Sequence, residues 1–456
     1  MTRTILTRVR DRAASSPRGV AMREKRLGIW HEITWASYWD TIVDVAHGLL
    51  SLGVQPGDRV AIQPVPGPND LTLSYLPLCH VAERVLTTWY NAGAGTQVNF
   101  AESIETVPQN LHEVQPTLFF AVPRIWEKLL ATARIKLDSA TWLKRRYARF
   151  WLRRADALGA AIAANGGRHT FGTRVIYAIG WVLFFRALRD RLGLRRVRHA
   201  SCGAAPIAPE VLQFFMGIGV PMHELYGMTE NAAIATANRP GRVKLGTVGE
   251  AHEGIEVRVD EKTGEILTRH PAVFAGYWQD PDATAATVSA EGWLHTGDVG
   301  EWVDGTHLRI TDRMKDIIIT AGGKNVAPSE IENGVKASPY VKECIVVGDG
   351  RRYLTALIGI ELDTVGAWAQ QHGLGFTTYR DLAEKEEVRV LVQKVVDDVN
   401  TRHNPVEQIK QFRMLPKELD HEDGELTATQ KVKRSSIDAM FKELVEQMYA
   451  GPGGRS

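Results

Sequence analysis

HELYGMTENA, residues 223–232, is the stretch on which the reading of this chain turns. An apolar start runs into a tight Tyr226-Gly227 turn, followed by a hydroxyl and a carboxylate. Thr229 is suited to a hydrogen bond with a phosphate oxygen. Glu230 is suited to Mg²⁺, a hard cation that takes oxygen ligands. Taken by itself, the segment reads equally well as a surface turn with a helix-capping threonine.

Four further segments accompany it in order. SCGAAPI (201–207) is a small-residue loop that lets backbone approach a flat ring closely. GWLHTGD (292–298) ends in Asp298, a carboxylate suited to gripping two ribose hydroxyls. ITDRMKDIIITAGGKNVAPSEIE (310–332) supplies Arg313, whose guanidinium is a rigid fork of donors for phosphate or sugar oxygens. LTATQKVKR (426–434) supplies Lys431, a mobile cation for a developing negative charge.

This ordered set resembles the AMP-forming acyl-CoA synthetases of the adenylate-forming enzymes. The resemblance also covers residues 1–62 and 73–130. LSYLPLCHVAER (73–84) and FAESIETVPQNLHEVQPTLFFAVPRIWEKL (100–129) are similar to the long-chain fatty acid–CoA ligase branch. It implies ATP, CoA and a long-chain fatty acid as substrates and Mg²⁺ as cofactor. Gly203, Ala204, Tyr226 and Gly227 would lie at the adenine, and Asp298 and Arg313 at the ribose. Thr229, Glu230, His80 and Lys431 would serve catalysis, with Glu230 on the metal. Trp126 would stand near the mouth of an acyl tunnel, Lys315 at a domain hinge, and Gly322-Gly323 on a CoA tunnel. Outside that family context, Trp126 reads as a core aromatic, His80 as a satisfied core histidine and Gly322-Gly323 as a hairpin turn.

The implied fold is α/β. A large N-terminal domain (1–311) would hold parallel or mixed sheets flanked by helices plus a small β-rich subdomain. A small α+β lid would follow (312–456). The chain departs from the family at one place. GDRVAIQ (57–63) passes through PVPGPND into LTLSYLPLCH, where relatives carry a Ser/Thr/Gly-rich phosphate loop and roughly a hundred further residues. The N-terminal domain is therefore expected to be truncated near 63–72. This leaves two alternatives to the ligase: a relative that binds acyl chain, nucleotide or a partner without turnover, and an enzyme loading a carrier protein.

Bulk properties narrow the class. The chain has 456 residues, 44% of them hydrophobic, which predicts more than one domain. Cys79, Cys202 and Cys344 are isolated, giving neither a zinc pattern nor a disulfide frame and favouring a reducing cytoplasm. The start lacks the apolar core of a signal peptide. The longest apolar run, Val175 to Phe185, is shorter than the roughly 20 residues of a membrane span. Net charge is +2, but residues 134–198 hold sixteen Lys and Arg against three Asp, hence +13. Basic and aromatic residues there suit peripheral contact with an anionic membrane, or simply a solvated face of two long helices. No recognition motif accompanies the charge, so nucleic acid is not expected.

Overall fold

The computed structural model describes residues 5–450 apart from 27, 52–66, 68, 105, 139–140, 421–422 and 427–431. The RVAIQ segment and most of the junction at 63–72 lie outside the described residues. So does Lys431.

The N-terminal body is built on a nine-stranded sheet. Its strands are β1 (Val20–Arg26), β2 (Ile29–Thr34), β3 (Leu71–Ser74), β4 (Gln97–Phe100), β5 (Leu118–Ala121), β6 (His199–Cys202), β7 (Met222–Tyr226), β8 (Thr236–Ala237) and β9 (Glu250–Ala251). They are ordered β2-β1-β4-β3-β5-β6-β7-β8-β9. From β1 through β7 neighbouring strands run parallel, and both edges are antiparallel. The TLFFAV run becomes β5, buried at every position. Parallel strands covered on both faces read as unbroken apolar runs rather than alternations.

Helices Pro123–Asp138 and Pro209–Gly217 pack on the sheet, and Trp142–Ala164 packs outside them. Trp126 sits in this core, edge-on to Phe119 at 5.2 Å and Phe215 at 4.9 Å. Glycines let the last two helices meet backbone to backbone. A Cβ on Gly159 would fall 1.8 Å from the Gln213 carbonyl oxygen, and one on Gly217 1.8 Å from that of Ala155.

Residues 171–191 form one continuous helix, Phe171–Arg191, 21 residues long. Sequence inspection stopped the apolar run at Arg174 and Arg186, but the helix carries both inside it. Its length thus reaches that of a membrane span, contrary to expectation, although Phe185 and Leu188 pack one side into the body.

A four-stranded antiparallel sheet follows: β10 (Glu256–Val259), β11 (Glu265–Arg269), β12 (Leu294–Val303) and β13 (His307–Arg313). The small C-terminal domain opens with the hairpin β14 (Ile318–Ile319) and β15 (Asn325–Val326), and continues with the sheet β16 (Val341–Val347), β17 (Leu354–Ile360) and β18 (Ile409–Met414). It has its own apolar cores. The charged stretch from Tyr379 to His403 forms two helices, Tyr379–Ala383 and Glu386–Asn400, because Lys385 is extended and starts the second. Across the domains Arg124 reaches Glu343 at 2.8 Å and Glu361 at 3.9 Å.

Candidate functional site

Ligands in open α/β sheets bind beyond the carboxyl ends of parallel strands. There, a cleft of about 2080 Å³ lies between the sheet, the β12–β13 hairpin and the first C-terminal residues. It is larger than a typical small-molecule pocket of ~300–1,000 Å³.

Most of the anticipated residues converge on it. Gly203 and Ala204 follow β6. Tyr226, Gly227, Thr229 and Glu230 follow β7. His80 follows β3, and Asp298, Arg313 and Lys315 come from the β12–β13 side. Register explains one pairing: Asp298 stands opposite Arg313 in the hairpin.

The tightest part is a three-residue network. The Tyr226 hydroxyl donates to Asp298 Oδ2 at 2.8 Å, and Arg313 Nε donates to Asp298 Oδ1 at 3.1 Å. Both carboxylate oxygens therefore face donors, although Asp298 is only 7% exposed. Desolvation, then the neighbouring Asp298, pushes the Tyr226 hydroxyl well above its ordinary range.

Close approach explains the small residues. A Cβ on Gly203 would lie 2.8 Å from the Leu225 carbonyl oxygen, and one on Gly227 2.2 Å from Ala233 C. Ala204 holds φ of +70°, a left-handed conformation that side chains rarely adopt and that concentrates at functional loops.

Glu230 is half-buried, and its Oε1 accepts from the Tyr277 hydroxyl at 2.8 Å. Among the described residues no three His, Cys, Asp or Glu side chains are grouped as a metal cage. A single carboxylate such as Glu230 nonetheless fits Mg²⁺, which binds through one or two carboxylates plus substrate phosphates and water. Thr229 is exposed at the turn and does not cap it, since the N-cap is Met228. His80 Nδ1 accepts from Ala82 N at 3.2 Å, which makes it the N-cap of helix Val81–Arg84.

Two of the expected positions lie outside the cleft lining in this arrangement. Trp126 is fully buried in the core near the start of helix Pro123–Asp138 and does not line the cleft. Gly322 and Gly323 form an exposed turn between β14 and β15, outside the cleft lining. Lys431 lies outside the described residues; Val432 lines the cleft.

Sequence inspection passed over Glu224 and Tyr277. Glu224 lines the cleft floor at 8% exposure, and its Oε2 has no hydrogen-bond partner. Burial pushes it up to about 8. Nearby, His223 stacks on His199 at 4.7 Å and is pushed down to about 4, chiefly by burial. Glu224 was already inside the HELYG motif, whereas Tyr277 is 47 positions from Glu230 and carried no signal.

Comparison with known proteins shows the family to which the chain belongs. Residues 62–278 match the AMP-binding enzyme family, and 315–452 match the AMP-binding enzyme C-terminal domain. A Mycobacterium tuberculosis protein named as a fatty-acid–CoA ligase, fadD11, is 38% identical over 400 residues, covering 88% of this chain and 68% of its own length. The long-chain-fatty-acid–CoA ligase FadD15 of Mycobacterium bovis is 33% identical over 83% of this chain, which spans 62% of it. In fold, the adenylation domain of a carboxylate reductase from Mycobacterium chelonae superimposes with a TM-score of 0.63 at 21% identity, over 86% of this chain and 55% of that one.

Proposed function

We propose, for a chain that belongs to the AMP-binding enzymes and is related to fatty-acid–CoA ligases, that it activates a long-chain fatty acid with ATP and passes the acyl group to CoA. The observation that carries this is the Tyr226–Asp298–Arg313 network, set in one cleft with the Gly203-Ala204 loop and Glu230.

A carboxylate is a poor electrophile because its oxygen leaves badly. Attack of the fatty carboxylate on the α-phosphorus of ATP expels pyrophosphate and gives a mixed anhydride with AMP. The CoA thiol then attacks the acyl carbon and expels AMP. The first step brings an anion to a polyanion, so positioned cations dominate catalysis.

Each residue has a task in this scheme. Asp298 accepts from the ribose hydroxyls while Arg313 orients it. The Gly203-Ala204 backbone faces the adenine, with Tyr226 beside it and Gly227 keeping the turn tight. Thr229 donates to a phosphate oxygen. Glu230 would hold Mg²⁺, which supplies neutralisation of phosphate charge when bound. His80 orients the reacting carboxylate. Lys431 bridges carboxylate and phosphate oxygens. The lid turns at Lys315, exposed at the end of the β12–β13 side, and brings the Gly322-Gly323 turn to the pantetheine arm for the second step. The three unpaired cysteines support a cytoplasmic setting, and the basic 134–198 region supports peripheral membrane contact.

The recognisable segments pass from GDRVAIQ to LPLCH without a phosphate loop, and this favours a second reading: a relative that binds nucleotide and acyl chain without turnover. Pyrophosphate release with palmitate, ATP and Mg²⁺ separates the two. The ligase releases pyrophosphate, and Lys431→Ala lowers that rate ~10²–10³-fold, as expected for removing one charge-stabilising donor. Folded protein that binds ATP but releases no pyrophosphate establishes the second reading. Transfer to a carrier protein but not to CoA would move the chain to the carrier-loading enzymes.

A further inference from the structure

The solvent side of helix Phe171–Arg191 is apolar. Phe171, Val175, Ile179, Val182 and Leu183 recur at helical spacing and are exposed, Phe171 at 85% and Val182 at 78%. Gly180, Phe185 and Leu188 hold the opposite side in the body. The neighbouring helix Trp142–Ala164 adds exposed Trp142, Leu143 and Phe150. The two are tied together, with the Tyr147 hydroxyl donating to the Leu183 carbonyl at 2.9 Å. A contiguous apolar ridge left to solvent marks an interaction site.

Its surroundings identify the occupant. Lys144, Arg146, Arg149, Arg153 and Arg154 are exposed on the first helix, and Arg174 and Arg186 on the second. With residues 134–198 at +13, two copies facing each other through this ridge would bring like charges together. An anionic bilayer complements both features. Cationic side chains meet lipid phosphates while the apolar side enters the headgroup–acyl boundary. The side of the helix packed through Gly180, Phe185 and Leu188 suits a helix lying in the interface.

We propose that the Trp142–Arg191 helix pair docks the protein flat on an anionic membrane surface, with Val182 and Ile179 entering the interface and the arginines contacting lipid phosphates. This deepens the peripheral contact named above and rests on it, but it does not need the ligase chemistry.

The test is co-sedimentation of the full chain with vesicles containing about a third phosphatidylglycerol, against pure phosphatidylcholine. Expected are binding to the anionic vesicles only, weakening as salt rises, and a loss of ~10-fold or more in the Ile179→Asp/Val182→Asp variant, whose changed residues are exposed and leave the core intact. Arg146→Glu/Arg149→Glu is expected to abolish the preference for anionic lipid. Binding unchanged in both variants, or absent from both vesicle types, overturns the proposal. So does a dimer in light scattering that the Ile179→Asp/Val182→Asp variant dissociates, which would assign the ridge to a second copy. Pyrophosphate release with a soluble medium-chain acid, measured without vesicles, reports the ligase function separately.

Discussion

Two sides of the same cleft treat a buried carboxyl in opposite ways. On the β12–β13 wall, Asp298 is 7% exposed and each of its oxygens accepts from a named donor. On the floor, Glu224 is 8% exposed, one oxygen lacks a partner, and burial raises it to about 8. Burial is nearly equal, and the difference lies in the partners. Donors aimed at a carboxylate favour its charge, whereas at Glu224 desolvation outweighs the single donor, the Gly246 N–H. The wall is therefore built to grip polar hydroxyls. The floor presents a carboxyl that burial biases toward its neutral form, and suits a substrate region that carries little charge of its own.

The harshest way to break this contrast is Asp298→Ala. It removes the ribose acceptor and takes the acceptor from the buried Tyr226 hydroxyl. ATP affinity should fall ~100-fold, since hydrogen bonds to a charged group are worth about 1.5 kcal/mol or more each. Calorimetric titration with ATP would show it, and unchanged affinity would remove the wall from the nucleotide site.

Glu224→Gln tests the floor. Its folded value of about 8 lies above the ordinary 4.5, so the folded state keeps a proton that the unfolded chain has already released. Stability then falls as pH rises from about 4.5 to about 8, by a few kcal/mol at most. The glutamine variant lacks that fall and should gain on the wild type across this window. Thermal denaturation at a series of pH values reads the difference directly. Parallel curves would mean that Glu224 finds a partner in solution.

Tyr226→Phe sharpens the wall with the smallest change. Asp298 keeps Arg313 but loses one donor, for about 1 kcal/mol of stability and ~5-fold in ATP affinity. An effect as large as that of Asp298→Ala would make the hydroxyl, not the carboxylate, the main grip.

Much of the wall was legible in the chain itself. Motifs around Tyr226, Asp298 and Arg313 each name a residue type suited to nucleotide oxygens, and hairpin register brings the last two together. The floor was harder. Glu224 lies in a strand buried on both faces, where no alternation separates inward from outward positions. Trp126 is ambiguous for a related reason: its local sequence fits a tunnel mouth or a core equally, and its edge-on contacts with Phe119 and Phe215 place it in the core. The pair Glu230–Tyr277 depends on a return of the chain that no local pattern encodes. The helix Phe171–Arg191 was underestimated because counting apolar residues stops at an arginine, whereas helical hydrogen bonding does not.

The glycine contacts at 159 and 217 leave no side-chain cushion between helices Trp142–Ala164 and Pro209–Gly217. The second of these begins immediately after the loop that carries Gly203 and Ala204. Sliding or rolling of one helix on the other is blocked by main-chain atoms, so the cationic outer helices and the nucleotide loop move as a single stiff bracket. A molecule resting on that outer side would hold its cleft at one fixed tilt to the surface beneath.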